Sequence, residues 1–385
     1  MTMKNDNAYA PLFEKLRKNL DISSSSSNLS EKDAIKIRVK AISEIRERLE
    51  IVHTNKYQQF LTVLFPSFER ILGMPPKDSD EKPRAPPTML EDSNHTLRNV
   101  TLEVLNRLPN NERLKPYMER LLSICSHVLS VDNEENALIA LRIIFDLHKN
   151  YRPDLDKKVQ PFLDLVRKLY ASVPETVKSV FGDGTSCFFL TLTISLKHTT
   201  TAYISNNIET SSASSTSPTP TPLEMPESDS TRDDKEKKKS SETTQKQLTP
   251  SVSSFKVLTE CPLIVMLLFQ LYPRYIQANI HVLIPLMMNT LKLQFRKPPT
   301  EPKLRKKFCE LAASQVKSLS FLTYLLRGFD GVMRPYEKTI SNCVVNLLKS
   351  CPSESLNTRK ELLVATRHIL ATDFRNGFFT QIDTL

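Results

Sequence analysis

The stretch KPYMERLLSICSHVL at 115–129 aligns without a gap against RPYEKTISNCVVNLL at 334–348. Pro116, Tyr117, Leu121, Cys125, Val128 and Leu129 stand opposite Pro335, Tyr336, Ile340, Val344, Leu347 and Leu348. Apolar residues at steps of three and four mark the buried face of a helix. Proline suits its first turn, where the backbone N–H has no helical partner to lose. The segments that follow also match, LIALRII (138–144) against LVATRHI (363–369). Chance likeness between two amphipathic helices is common, but paired helices matching in order point to a repeat. Antiparallel helix pairs of roughly 40 to 50 residues are the unit of HEAT-type arrays. The expected fold is therefore all-α: a HEAT-like α-solenoid of antiparallel helix pairs.

The same periodicity extends outward. In EKDAIKIRVKAISEIRERLEIV (31–52), Ile35, Val39, Ile42, Ile45 and Leu49 share a face, and Ser30 is a good N-cap. A helix is expected over 55–72, kinked or broken at Pro66. The stretch 73–92 holds five prolines and reads as a loop. Helices follow at about 94–108, 115–130, 134–149 and 155–171, then at 255–271, 274–294, 302–327, 333–350, 356–371 and from 373 onward.

Between these blocks the composition changes. Residues 211–222, SSASSTSPTPTP, are Ser, Thr or Pro at eleven of twelve positions, and no aromatic residue falls between Tyr203 and Phe255. Such a segment buries too little apolar surface to offset its ordering entropy and is expected to be disordered. Just before it, SCFFLTLTISLKHTTTAYI (186–204) has β-like character and reads as an irregular strand or a helix end. The expected organisation is N-terminal helical repeats over 1–204, a disordered insertion over 205–254 and further repeats over 255–385. Because the apolar pattern continues to Leu385 without a capping signal, the repeats read as cut from a longer array.

Composition argues against most chemistry. Only six glycines occur, none in a GxGxxG or GxxxxGK arrangement, so phosphate-cradling loops are not expected. The six cysteines are scattered with no CxxC, which favours buried free thiols in a reducing compartment over a disulfide framework. No pair among the seven histidines has HExxH or HxH spacing, and His127 and Cys125 point to different helix faces. Serine-nucleophile motifs are missing. Glu134 and Glu135 read as dipole partners at a helix start, and Asp233 and Asp234 as solvated charge. The reading is a non-enzyme with no cofactor, no metal and no small-molecule substrate. The N-terminus lacks a signal-peptide core, and the apolar run CPLIVMLLF (261–269) is too short to span a bilayer. A soluble, intracellular protein without a membrane association is expected.

The formal charge is +10, from 53 basic and 43 acidic residues. The excess concentrates in KLQFRKPPTEPKLRKK (292–307), where seven cations (Lys292, Arg296, Lys297, Lys303, Arg305, Lys306 and Lys307) meet one Glu, a balance of +6. This candidate basic loop has three readings. It is a solvated connection between helices, a site for partners or nuclear import, or a nucleic-acid contact with steep salt dependence.

Several blocks identify a family. NEENALIALRIIFDLHKNYRP (133–153), FKVLTECPLIVMLLFQLY (255–272), IPLMMNTL (284–291), SQVKSLSFLTYLLRGF (314–329) and CPSESLNTRKELLVATRHILAT (351–372) resemble, in order, the N-terminal helical-repeat region of the TRRAP family (transformation/transcription-domain-associated protein). The insertion ahead of FKVLTECP resembles that of fungal members, and the likeness covers the chain from about residue 94. The resemblance implies a piece of a very large nuclear protein whose distant kinase-like domain has lost its catalytic residues. It implies a subunit of SAGA-type and MYST-type histone acetyltransferase complexes that receives acidic transcriptional activators and contacts other subunits of those complexes. The alternative is a basic helical-repeat adaptor for nucleic acid or nuclear import. Direct nucleic-acid binding is not expected under the first reading.

Overall fold

In the computed structural model, residues 9–22, 29–75, 82–83, 92–182, 248–295 and 298–384 are described. Among them the chain forms helices and no strand. The helices are α1 (Tyr9–Leu20), α2 (Glu31–Glu47), α3 (Tyr57–Ile71), α4 (Asp92–Asn106), α5 (Met118–Val131), α6 (Glu134–Asn150), α7 (Val159–Ala171) and α8 (Val173–Phe181). After residue 248 come α9 (Phe255–Leu271), α10 (Arg274–Leu291), α11 (Pro302–Leu326), α12 (Glu337–Ser350) and α13 (Leu356–Leu370), closed by a 3-10 segment over Asp373–Thr384.

Local chemistry explains where these helices begin. Ser30, Asn133 and Ser254 are N-caps whose side chains accept from the backbone N–H of Asp33, Asn136 and Val257. The aligned proline motifs both form a single 3-10 turn, Lys115–Tyr117 before α5 and Arg334–Tyr336 before α12. Gly73 and Gly182 end α3 and α8 with φ of 80° and 76°, which a side chain would strain.

Of the two outcomes expected at Pro66, a kink or a break, the break does not occur: α3 runs through it. An interior proline costs about 3 kcal/mol. Leu61, Leu64, Phe65 and Phe68 around it are all fully buried, each contributing roughly 1.5–3 kcal/mol, so packing wins. Pro262 and Pro285 sit inside α9 and α10 in the same way. The helices α1 and α8 were not anticipated from the periodicity.

The chain alternates between two layers. In one, α2 packs on α4, α4 on α6, α6 on α9, α9 on α11 and α11 on α13. The other helices back them: α1 lies on α2, α5 on α6, α7 on α9, α10 on α11 and α12 on α13. One hydrophobic core runs between the layers from Phe13 to Phe378. This is the geometry of a helical solenoid, in which each pair finds its apolar partner in the neighbouring pair.

The β-like stretch 186–204 and the expected insertion up to residue 247 lie outside the described residues. The expected boundary at 254 shifts, because Thr249–Ser254 is ordered against the start of α6. The Glu134 N–H donates to the Thr249 carbonyl at 2.8 Å, and the Ser251 N–H to the Asp132 carbonyl at 2.9 Å. At the other edge, Phe181 packs on Phe255 and Phe295, with ring centroids 6.2 Å and 4.9 Å apart. The chain thus leaves and re-enters at neighbouring places. Replacing 205–247 with a short Gly/Ser linker is expected to keep the melting temperature within a few degrees, since closure entropy varies slowly with loop length. Extending the deletion through Ser254 is expected to lower it by several degrees more, by removing an N-cap and its contacts. Thermal melts followed by circular dichroism compare the two.

Candidate functional site

Of the seven basic residues singled out in the sequence, Arg296 and Lys297 lie outside the described residues. Lys292 follows α10 and is half-buried. The other four are not on a loop. Pro302 opens α11 at its first turn, so Lys303, Arg305, Lys306 and Lys307 ride on that helix. Arg305 pairs in bidentate fashion with Glu354, ahead of α13, and holds that carboxyl down at about 2. Lys307 meets Glu310 at 2.9 Å and Glu134 at 3.7 Å. Lys303 and Lys306 remain exposed, without an ion pair among the described residues. The basic cluster is therefore partly neutralised by its own fold.

Lys307 belongs instead to a polar junction that the sequence did not reveal. Asp132 is buried, and its carboxylate accepts from Arg98 of α4 at 2.8 and 3.1 Å. It also accepts from the Asn133 side chain at 2.7 Å and the Asn136 side chain at 3.1 Å. Two residues on, Glu134 sits in the first turn of α6, as expected of a dipole partner, and it is also buried. Its carboxylate accepts from the Ser254 hydroxyl and the Lys256 ammonium, each at 2.6 Å. Burial pushes the Glu134 carboxyl up, but Lys256, Ser254 and Lys307 outweigh burial and hold it below the usual carboxylate range. The Glu134 contact in turn raises the Lys256 ammonium. Four segments meet here: α4, the start of α6, the 249–256 re-entry and α11. A lone cation inside the apolar run of α9 was the one available hint. Lys307→Ala is expected to cost about 1–2 kcal/mol by uncovering part of a buried acid, and Arg98→Ala about 3–5 kcal/mol by stranding Asp132. Lys306→Ala is expected to stay within about 0.5 kcal/mol of the parent. Urea unfolding of the three variants ranks them.

A second buried polar group sits between α6 and α9. The Tyr272 hydroxyl donates to the Arg152 carbonyl at 2.7 Å, so the 3.2 Å contact to His148 is made by Nδ1–H donating to that hydroxyl. His148 Nε2 is then an unprotonated nitrogen, buried, without a partner among the described residues. Burial pulls the imidazole down from 6.5 to about 4. Between those values the unfolded chain binds a proton that the folded one excludes, so stability falls as pH drops through that window. Comparing pH 7 with pH 4, the loss attributable to this group is roughly 3 kcal/mol. Denaturant midpoints across that range are expected to slope less in His148→Phe than in the parent.

No described cluster of His, Cys, Asp or Glu has the arrangement to hold a metal ion. Cys125, Cys261, Cys343 and Cys351 are buried free thiols; burial raises all four, Cys261 and Cys343 to about 12, which leaves them unreactive. Among the described residues no helix is long and apolar enough to cross a membrane.

What the fold does present is surface. Large apolar side chains are exposed at Leu263 on α9, at Tyr324 on α11 and at Leu356, Leu363, Val364 and Leu370 on α13, the last helix of the α2–α13 layer; Val252 and Phe379 are exposed outside the numbered helices. The opposite layer shows Tyr9 and Val282. Between α6 and α9 lies a groove of about 360 Å³, walled by Leu138, Leu141, Phe145, Leu263 and Ile264, with Asn106, Arg142, Asp146 and Glu260 adding polar groups.

These features define a helical-repeat protein. Residues 307–385, from α11 to the end, match the family described as the Tra1 HEAT repeat central region. The probable transcription-associated protein 1 of Dictyostelium discoideum is 38% identical over 89% of this chain. The human transformation/transcription domain-associated protein is 31% identical over 90% of it. The Saccharomyces cerevisiae protein titled SAGA complex/NuA4 acetyltransferase complex subunit TRA1 is 26% identical over 90%. The chain belongs to this TRRAP/Tra1 family. It spans about 8% of the length of the first two relatives and 9% of the third.

Proposed function

We propose that this stretch of chain is a non-catalytic scaffold segment of a nuclear transcription co-activator subunit. It serves in SAGA-type and MYST-type histone acetyltransferase complexes, where it binds acidic activators and neighbouring subunits. The observation that carries the reading is the family membership. Two of the relatives are titled subunits of SAGA and NuA4 acetyltransferase complexes, which supports the complex assignment. Acidic activation segments are disordered, carry apolar anchors among carboxylates and order on binding. An apolar surface beside unpaired cations complements them and speeds their encounter.

The adaptor reading for nucleic acid or import draws on the basic cluster, and the ion pairs of Arg305 and Lys307 weaken it. Fluorescence anisotropy separates the two. A labelled acidic activation peptide is expected to bind with Kd on the order of micromolar, because ordering offsets part of the contact energy. Its association rate is expected to fall with added salt, and random duplex DNA is expected not to bind at about 150 mM salt. Tight DNA binding that weakens tenfold or more over a several-fold rise in salt would favour the adaptor instead.

A further inference from the structure

The turns that join α4 to α5 and α6 to α7 lie on one edge of the stack. Over residues 107–115 and 149–158 they carry seven cations and three carboxylates. Folding uses up two of those carboxylates: Asp154 pairs with Lys115 at 3.1 Å, and Asp156 with Arg274 of α10. Lys158 faces Glu119 of α5 at 3.9 Å. Arg107, Arg113, Lys149, Arg152 and Lys157 are left exposed, without an ion pair among the described residues, and Glu112 is the one carboxylate of these turns still available to them.

The backbone beneath these cations is held in place. Tyr57 donates to the Pro109 carbonyl at 3.2 Å and Tyr151 to the Asn111 carbonyl at 2.8 Å. Tyr272 and Tyr275 donate to the Arg152 and Asp156 carbonyls at 2.7 and 2.8 Å. Each turn is thereby tied to a neighbouring helix. Both turns also lie inside the stack, with α4 packed between α2 and α6, and α6 between α4 and α9. Their exposure therefore does not depend on where the sequence begins or ends. The connections on this edge, 48–56, 107–117, 151–158, 272–273 and 327–336, all fall among the described residues.

Spacing selects the kind of anion. Neighbouring helices of a layer stand about 8–10 Å apart, which sets the step from one turn to the next. An extended polypeptide advances about 3.3 Å per residue, so side chains three apart recur at roughly 10 Å. Duplex nucleic acid presents a charge about every 1.7 Å of its axis, far denser than cations spread over two turns can meet. A second copy of this edge would set like charges together.

We propose that this edge is a docking strip for an extended acidic segment of a partner polypeptide, with a carboxylate at about every third residue. The inference deepens the proposed function: it rests on that reading for the class of partner and adds where the carboxylates land.

The probe is a labelled peptide with Glu at every third position and Ser or Pro between, compared with its Gln analogue by fluorescence anisotropy at about 50 mM salt. The parent chain is expected to bind the Glu peptide and not the Gln one. Arg107→Glu with Lys149→Glu is expected to weaken that binding by about tenfold or more. Lys303→Glu with Lys306→Glu makes the same change in net charge at the start of α11, and is expected to alter affinity less than about twofold. Equal losses in the two variants would make net charge the cause and overturn the strip, as would parent-like binding by the first. If the reversed edge pair unfolds by circular dichroism, the neutral pair Arg107→Gln with Lys149→Gln carries the same test, with a several-fold loss expected. Displacement of the peptide by an equal concentration of random duplex DNA would make nucleic acid the occupant and overturn the proposal. Binding of the acidic activation peptide but not of the extended probe would overturn the strip and leave the proposed function standing. Failure of the parent to bind either peptide would overturn both.

Discussion

One buried carboxylate organises the middle of this molecule. Asp132 is almost out of water, and a charge in that position is tolerated only with a full set of donors. Arg98, Asn133 and Asn136 supply them, from α4 and from the first turn of α6. Meeting that requirement fixes where α6 begins relative to α4. It also aims the Asp132 carbonyl and the Glu134 N–H at the returning chain, which pairs with them through Ser251 and Thr249. The Glu134 carboxylate then collects Ser254, Lys256 and Lys307, so the start of α9 and the start of α11 are referred to the same point.

Helical repeats are otherwise held by contacts between neighbours, and their stability is close to a sum of local terms. The junction adds a longer-range tie, since it joins residues about 120 to 170 positions apart through charge-assisted hydrogen bonds. It lies where the chain returns after residues 183–247, which are outside the described residues. A long connection weakens the coupling between the blocks it joins, and the core around Phe181, Phe255 and Phe295 together with the polar clasp restores the register. Apolar packing sets how strongly the blocks adhere. The clasp sets where.

The surface follows from the same economy of contacts. Apolar positions on the inner faces are consumed by the core, while those facing outward on α9, α11 and α13 are left exposed. The basic residues show how folding edits the surface: Arg305 and Lys307 are withdrawn into pairs, whereas Lys303 and Lys306 stay in solvent.

The helices were legible because periodicity, N-caps and the two proline motifs all act within a few residues of chain, and the repeat showed as the likeness of 115–129 to 334–348. Local signals failed where tertiary packing outvoted them. Pro66 is kept inside α3 by the buried Phe65 and Phe68, and α8 starts so soon after α7 that no separate pattern announces it. The family, too, was readable from blocks of sequence, and the comparisons support it. The sequence by itself determined an all-α repeat with buried cysteines and a basic stretch. Only the tertiary structure decided which charges were free. Whether Glu134 is a solvated helix-start acid or a buried clasp depends on residues from position 254 to 307 arriving beside it, and no local pattern encodes so distant a meeting.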